Sequence, residues 1–203
     1  MRIILASALL GASLWVIAAS AAFRPLAEPA PVAARFSSPS LPGRIVLSAA
    51  EAREAAGTGR MAMPVATLLN IRSPLRYGEF RWNESDVPPG PVWISIDLKS
   101  QLLSVFRGPN EIGAAVILYG AGSTGTPVGN FRILAKLREH RSVTYNQAEM
   151  PYTLRLTRDG VSIHGSNVRE GFATHGCIGV PIDFAARLFK SASSGDEVLI
   201  RSG

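Results

Sequence analysis

The residues best suited to chemistry in this chain lie close together towards its C-terminal end. The single cysteine stands in the segment Thr174-His175-Gly176-Cys177-Ile178, and His164, another of the three histidines, lies a short way before it. A cysteine attacks a carbonyl carbon as its thiolate, so it needs a group that lowers its pKa or accepts its proton. An imidazole can do both, because its ordinary pKa of about 6.5 lets it change charge near neutral pH. The cluster therefore indicates a nucleophilic cysteine activated by histidine.

Two other interpretations of this cluster are weaker. A lone cysteine can be an inert buried side chain, but the two histidines near this one favour catalysis. Two histidines and a cysteine could bind zinc, yet their spacing matches no zinc-binding pattern and no fourth ligand is evident. The glycine-rich segment 120–129 lacks the nucleotide-binding patterns, and we interpret it as a flexible loop beside the substrate. We therefore expect neither a metal nor a cofactor.

Short elements must bring the cysteine and a histidine together. His164 follows a predicted strand over residues 161–163, and a loop leads from it to Cys177. Such a loop can fold back, so that the two side chains come within hydrogen-bonding distance. Gly176 allows a tight turn, after which the amide N–H groups of Gly176 and Cys177 could point at an oxyanion. We expect the side chain of His175 to face elsewhere.

The rest of the pattern predicts a mainly β domain. Runs of alternating apolar and polar residues, bounded by Gly, Pro and Asn, are typical of strands. These predicted strands cover residues 93–98, 103–106, 114–119, 130–137, 152–157, 161–163 and 197–201, with a further edge strand over 79–82. The segment Arg158-Asp159-Gly160 predicts a tight turn. A proline at residue 181 opens a predicted helix over residues 182–192, which has one apolar face.

The N-terminal part of the chain predicts export. Residues 1–23 have a charged start, an apolar middle and a small-residue end, as in a signal peptide or a membrane anchor. Residues 24–60 are interpreted as a Pro- and Ala-rich linker, in which a capping box at Ser48 and Glu51 predicts a short helix. Residues 61–89 are interpreted as an N-terminal extension of the catalytic domain. In an exported, periplasmic protein a lone cysteine forms no internal disulfide, which again favours a nucleophile.

The charge pattern excludes one class of partner. The formal net charge is +6, but Lys and Arg are scattered and no basic run is interleaved with aromatic residues. This distribution argues against nucleic-acid binding. It is typical of a solvated basic surface, and it would also favour an anionic polymer such as the cell wall.

Several segments together resemble the L,D-transpeptidases, also called YkuD-domain enzymes. The family signature is a strand ending in His-Gly-Ser/Thr, then a loop, then Ser/Thr-His-Gly-Cys, and residues 163–166 and 174–178 match it. Three further segments are similar to family elements: the hairpin 93–106, Gly-Thr-Pro-Val-Gly-Asn-Phe at 125–131, and Met150-Pro151-Tyr152. The resemblance covers roughly residues 90 to 201. It implies a catalytic domain over 90–203 with a β-sandwich fold and one or two short helices.

The resemblance also implies an activity on peptidoglycan stem peptides. In this family a cysteine attacks the third residue of a tetrapeptide stem, D-alanine leaves, and an amine of a second stem resolves the thioester into a 3→3 crosslink. By position, Cys177 would be the nucleophile, His164 the base, and Gly165 the carbonyl that orients the imidazole. The other matched residues would shape the site or bind substrate: His175 and Gly176 beside the thiol, and Met150, Tyr152, Ser166 and Thr174 along the substrate groove.

One matched position departs from the family pattern. Gly179 stands where the family usually carries Arg or Asn after Cys-Ile. That difference leaves the choice of acceptor open. If water resolves the thioester, the protein would be a carboxypeptidase or murein peptidase, and an inactive wall-binding module is a third alternative. We expect a monomer whose partners are peptidoglycan stem peptides.

Overall fold

The structure, a computed structural model, describes residues 42–57, 63–120, 125–143 and 145–202. The predicted signal peptide or anchor (1–23), the linker up to residue 41 and part of the glycine-rich segment lie outside the described residues. Within them the chain forms the following elements: β1 (Arg44–Val46), α1 (Ala49–Gly57), β2 (Thr67–Leu69), β3 (Phe80–Trp82), β4 (Val92–Asp97), β5 (Leu102–Arg107), β6 (Asn110–Val116), β7 (Gly129–Arg132), β8 (Ala135–Leu137), β9 (Thr153–Arg155), β10 (Ser162–Ser166), β11 (Ile178–Pro181), α2 (Ile182–Ser191) and β12 (Glu197–Arg201). In this described part, neither helix has the length and hydropathy needed to span a bilayer.

The larger of two sheets has the strand order β1-β2-β6-β5-β4-β12-β7, and β3 also pairs with β6. Its centre is the antiparallel hairpin of β4 and β5. Both faces of this hairpin are buried, and successive side chains of a strand point to opposite faces. Ile94 and Ile96 therefore enter the main core, whereas Trp93 stacks on Phe106 in a second cluster, with 4.0 Å between the ring centroids.

The N-terminal extension covers this second cluster. Val65 is buried against the rings of Trp93 and Phe106. Three partly buried apolar side chains complete the cover: Leu47, Met63 and Leu68. The extension is therefore part of the folded domain, because without it two large aromatic side chains would be exposed to water.

Strand β1 lies within the segment interpreted as a linker, residues 24–60, and here the structure differs from the prediction. Arg44 is buried, and its guanidinium donates hydrogen bonds to the hydroxyl of Thr67 at 3.1 Å and to the carbonyls of Glu111 and Asn83 at 2.6 and 2.5 Å. These partners lie far along the chain, so no local pattern reveals them. The folded domain consequently begins earlier than predicted.

The smaller sheet has the order β11-β10-β9-β8. Strands β9 and β10 are antiparallel and are joined by the predicted turn at residues 158–160. Strands β10 and β11 are parallel, so the chain between them has to cross back to the edge at which β10 began. That crossing loop ends in the segment Thr174–Cys177.

Helix α2 packs between the two sheets. Its buried face consists of Phe184, Ala185 and Leu188, and Leu188 follows the other two by four and three residues, as expected for one side of a helix. The ring of Phe184 makes edge contacts with Phe80 and Trp82 of β3, at centroid distances of 5.7 and 5.4 Å. Since β3 belongs to the larger sheet, this helix joins the smaller sheet to the main core.

The prediction of a mainly β fold with short helices is confirmed. Helix α1 lies where the capping box predicts it, and Ser48 and Glu51 exchange hydrogen bonds as that motif requires. The predicted strand over residues 130–137 is instead two strands, β7 in the larger sheet and β8 in the smaller one. The chain changes sheets at Ile133, which is buried and bonded to the turn before β12.

Candidate active site

The parallel strands β10 and β11 bring the segment that carries His164 beside the segment that follows Cys177. Their parallel register pairs Ile163 with Ile178 and His164 with Gly179. Both isoleucines are buried in the main core, and residues alternate between the faces of a strand. His164 and Gly179 therefore share the opposite face. Cys177 lies two residues before Gly179, in the turn that leads directly into β11.

The imidazole of His164 is buried and held in one orientation. Its Nδ1 lies 2.9 Å from the carbonyl oxygen of Gly165. A carbonyl can only accept a hydrogen bond, so Nδ1 carries the proton and Nε2 keeps a free lone pair. Burial lowers the pKa of His164, the bond to Gly165 opposes that change, and the nearby His140 adds to the lowering. A neutral imidazole with a free Nε2 can act as a general base.

The thiol of Cys177 is half-buried. It donates a hydrogen bond to the carbonyl of Gly160, with 3.7 Å between sulfur and oxygen. Burial raises the pKa of this thiol, a backbone bond from Ser162 opposes the change, and the charge of Asp159 adds to it. Within the described residues the thiol makes no hydrogen bond to His164.

The turn that carries Cys177 is fixed by contacts from other loops. The amide of Thr174 donates to the carbonyl of Tyr119 at 3.1 Å, and its hydroxyl donates to the carbonyl of Cys177 at 2.5 Å. Gly176 has a φ of +109°, a conformation that favours glycine. Its carbonyl accepts a bond from the buried hydroxyl of Thr126 at 3.0 Å. Thr126 lies in the Gly-Thr-Pro segment of the family resemblance, where its anchoring role was not predicted.

The side chain of His175 is paired with a residue from another part of the chain. It is exposed, and its ring stacks on that of Tyr145 with 4.3 Å between centroids. Sequence analysis does not single out Tyr145, because the segment around it is polar and shows no strand or helix period.

The glycine that departs from the family pattern fits closely against its neighbours. Gly179 is buried, and its amide and carbonyl both bond to Leu118 at 2.9 Å. A Cβ at Gly179 would lie 2.9 Å from the Cβ of Ser166 and 3.2 Å from its hydroxyl oxygen. Real Cβ atoms are not found so close to another carbon. The side chain of Ser166 therefore occupies the space that any side chain at position 179 would need.

Two of the four residues expected in the substrate groove have structural contacts of their own. Met150 is buried, and its amide donates to the carbonyl of His140 at 2.9 Å. The ring of Tyr152 packs against that of Phe189 in α2, with 5.9 Å between centroids. Their predicted contacts with substrate, like those of Ser166 and Thr174, stay predictions.

A cleft of about 520 Å³ opens beside the site, lined by Glu139, His140, Arg141, Glu149 and Pro151. The carbonyl of Pro151 accepts a hydrogen bond from the amide of Gly165 at 2.8 Å, so the cleft adjoins the strand that carries His164. His140 lies in the wall of this cleft. The lining offers both signs of charge to a ligand.

Comparison with protein families identifies the class of this protein. The family described as YkuD, the L,D-transpeptidase catalytic domain, matches residues 91–200. That match covers more than half of the chain, so the chain belongs to this family. No match was found among curated proteins.

Solved structures with the same fold carry the same family name. An L,D-transpeptidase (Yku) from Stackebrandtia nassauensis is 22% identical, with a TM-score of 0.51 over 56% of this chain and 57% of that one. An L,D-transpeptidase from Mycobacterium tuberculosis H37Rv is 20% identical, with a TM-score of 0.51 over 54% and 57%. A third, from Xylanimonas cellulosilytica, is 22% identical, with a TM-score of 0.50 over 57% and 62%. The chain thus spans less than two thirds of each, and the likeness establishes the fold.

Proposed function

We propose that this protein is a peptidoglycan L,D-transpeptidase with Cys177 as nucleophile and His164 as base. Family membership supports the activity class. The residue roles are best supported by one observation: β10 and β11 are parallel neighbours in which His164 lies opposite Gly179, two residues after Cys177, and the carbonyl of Gly165 lies 2.9 Å from Nδ1 of the imidazole. An imidazole held in this tautomer has its free nitrogen available for the thiol proton.

The first half-reaction would form a thioester. Nε2 of His164 takes the thiol proton while Sγ of Cys177 attacks the carbonyl carbon of the third residue in a tetrapeptide stem. The C–N bond to the terminal D-alanine breaks, and the imidazolium gives its proton to the leaving amine. Because burial favours the neutral form of both groups, proton transfer accompanies the attack. The amide N–H groups of Gly176 and Cys177 are the proposed donors to the oxyanion.

The second half-reaction would transfer the acyl group. The amine of a second stem attacks the thioester carbon, and His164 accepts its proton. The C–S bond breaks, the sulfur of Cys177 takes the proton back, and a 3→3 crosslink is released. Water in place of the amine would give a shortened stem, which is the carboxypeptidase alternative.

We further propose that the enzyme acts in the periplasm as a monomer. Residues 1–23 have the features of a signal peptide or membrane anchor, and either would carry the domain out of the cytoplasm. The formal net charge of +6 favours association with an anionic wall polymer.

Mass spectrometry of the full chain with a purified disaccharide-tetrapeptide tests the proposal. We expect an adduct on Cys177, free D-alanine and crosslinked dimers, none of which should form with the Cys177→Ala variant. Shortened stems without dimers would favour the hydrolase alternative. A folded protein that forms no adduct with the tetrapeptide or with a thiol-reactive carbapenem would contradict both enzymatic functions.

A further inference from the structure

The segment between β8 and β9, residues 138–152, forms a hairpin that we call the active-site hairpin. Arg141 and Glu149 face each other in it, joined by a β-bridge and by an ion pair of 2.6 Å. The hydroxyl of Ser142 accepts a hydrogen bond from the amide of Tyr145 at 3.0 Å. These contacts hold Tyr145 near the tip of the hairpin.

Tyr145 reaches across the strand that carries His164. The active-site hairpin rises from β8 and β9, whereas His175 belongs to the turn that leads into β11. Strand β10 lies between β9 and β11 in the sheet. The stack of Tyr145 on His175, at 4.3 Å and with 21° between the ring planes, therefore spans β10.

The stack joins the hairpin to the turn of the nucleophile. Each residue of the turn 174–177 has a partner from elsewhere in the chain. Thr174 is bonded to Tyr119, Gly176 to Thr126 and Cys177 to Gly160, and these partners lie outside the active-site hairpin. The partner of His175 is Tyr145, which lies within it. Movement of the hairpin would therefore act on the turn through this ring pair.

The active-site hairpin also forms part of the charged cleft. His140, Arg141 and Glu149 all belong to it and line the cleft of about 520 Å³ beside β10. A hairpin released from His175 would change the shape of this cleft as well as the freedom of the thiol. Both changes would act on the encounter between substrate and nucleophile.

We propose that Tyr145 is a positioning residue, which acts through His175 to hold the active-site hairpin over β10 and to fix the turn that carries Cys177. The inference rests on the proposed function, because it assumes that Cys177 attacks a bound stem peptide. Tyr145 itself is not expected to touch the reacting atoms. Small errors in the position of a nucleophile reduce the rate steeply, so a loose turn should slow acylation.

Three variants of the full chain test this inference. Tyr145→Ala removes the stack and Tyr145→Phe keeps its apolar ring. Val143→Ala is a matched control, because Val143 lies on the same hairpin with 87% of its surface exposed. The measurements are the rate of carbapenem acylation, kcat and KM with the disaccharide-tetrapeptide, and the melting temperature.

We expect Tyr145→Ala to be acylated roughly threefold to tenfold more slowly, the change that corresponds to the loss of one aromatic pair. Its kcat should fall and its melting temperature should stay close to that of the wild type. Tyr145→Phe should stay within about twofold of the wild-type rate, since stacking depends on the ring faces. Val143→Ala should match the wild type. A role in stability alone would lower the melting temperature and leave the kcat of the folded fraction unchanged.

A double-mutant cycle with His175→Ala identifies the partner of Tyr145. If Tyr145 acts through His175, the double variant should be no slower than the slower single variant. If Tyr145→Ala does not fold, His175→Ala tests the same stack, because it removes the other ring. Its acylation rate is then compared with those of the wild type and Tyr145→Phe. Additive losses in the cycle would show that Tyr145 acts independently and would overturn the inference.

Hydrogen exchange separates this inference from the proposed function. The amides of residues 174–177 should exchange faster in Tyr145→Ala than in the wild type, whether or not the protein is active. If the wild type is acylated and a folded Tyr145→Ala variant is acylated at the same rate, the positioning role alone is refuted. Absence of acylation in the wild type would refute the proposed function, and unchanged exchange would then refute the positioning role as well.

Discussion

The two sheets of this protein differ in how their strands are held. In the larger sheet, β4, β5 and β6 are six or seven residues long and are mostly buried along their length. In the smaller sheet, β8 to β11 are three to five residues long. The proposed base His164 is the middle residue of β10, and the proposed nucleophile Cys177 lies in the turn before β11. Long buried strands make the larger sheet the main contributor to the core, whereas in the smaller sheet individual hydrogen bonds hold the residues of the proposed reaction. Substitutions in the two regions should therefore change different measured quantities.

The largest effect should come from the base in the smaller sheet. His164→Ala should slow acylation by about 10²–10⁴-fold, the usual contribution of a general base, while the protein stays folded. His175→Ala should slow it much less, because that side chain stacks on Tyr145 and faces solvent. Single-turnover acylation of both variants provides the comparison. A greater loss in His175→Ala would reverse the assignment of the base.

The junction of the two sheets should give the largest change in stability. Phe184 is fully buried and packs against β3, so Phe184→Ala should lower the free energy of unfolding by about 3–5 kcal/mol. Acylation of the protein that remains folded should change little. Urea denaturation measures the loss, with Phe172→Ala as control, since 64% of Phe172 is exposed. If Phe184→Ala lost acylation without losing stability, the expected difference between the two sheets would be wrong.

Arg44 extends the test to the N-terminal edge of the larger sheet. Arg44→Met should lower the free energy of unfolding by about 2–3 kcal/mol, because it leaves buried carbonyl groups without donors. The neighbouring Ile45 is half-exposed, so Ile45→Ala should cost much less. Thermal denaturation of both variants compares them. If Arg44→Met were as stable as the wild type, β1 would be a dispensable part of the linker.

Gly179 tests how closely the smaller sheet is packed. Gly179→Ala should cost about 1–2 kcal/mol of unfolding free energy, because its Cβ would press against that of Ser166. In a Ser166→Gly background the same substitution should cost less. Denaturation of the two single variants and of the double variant measures the coupling energy between positions 166 and 179. If Gly179→Ala lowers the free energy of unfolding equally in the wild type and in Ser166→Gly, contact with Ser166 is not the source of the strain.

The smallest effect should appear in the pH dependence. Burial lowers the pKa of His164 below its unfolded value of 6.5, so the base stays neutral to a lower pH than an exposed histidine. The acylation rate should fall only as the pH drops through that lowered pKa. The contribution of His164 to stability is complete above pH 6.5 and is lost as the pH falls through the same folded value. A pH–rate profile whose acid limb lies above 6.5 would contradict the lowered pKa.

The sequence predicts those parts of the fold that depend on local periodicity. Strands β4 and β5 and helix α2 lie close to their predicted positions, and β12 covers the predicted residues 197–201. Each of these elements has a regular spacing of apolar residues and is bounded by residues that favour turns. The local sequence is therefore enough to predict it. The cluster of Cys177 and His164 was recognisable for a similar reason, since both residues lie in short, dense motifs.

The remaining parts depend on contacts between distant residues. Strand β1 is defined by the buried partners of Arg44, which no local pattern marks. Strand β11 contains Gly179 and Pro181, residue types that disfavour strands, and it forms because β10 and Leu118 bond to it on both sides. The role of Tyr145 was missed because stacking on His175 is visible only once the chain has folded.

Strand β12 comes last in chain order but lies inside the larger sheet, and this affects how a newly made chain folds. Strand β12 lies between β4 and β7, and Glu197–Arg201 pairs with residues 93–97 on one side and with 129–132 on the other. The sheet cannot close until residues 197–201 have left the ribosome, and pairings between such distant residues form slowly. A newly synthesised chain therefore stays unfolded for longer, as the proposed export through a translocation pore would require.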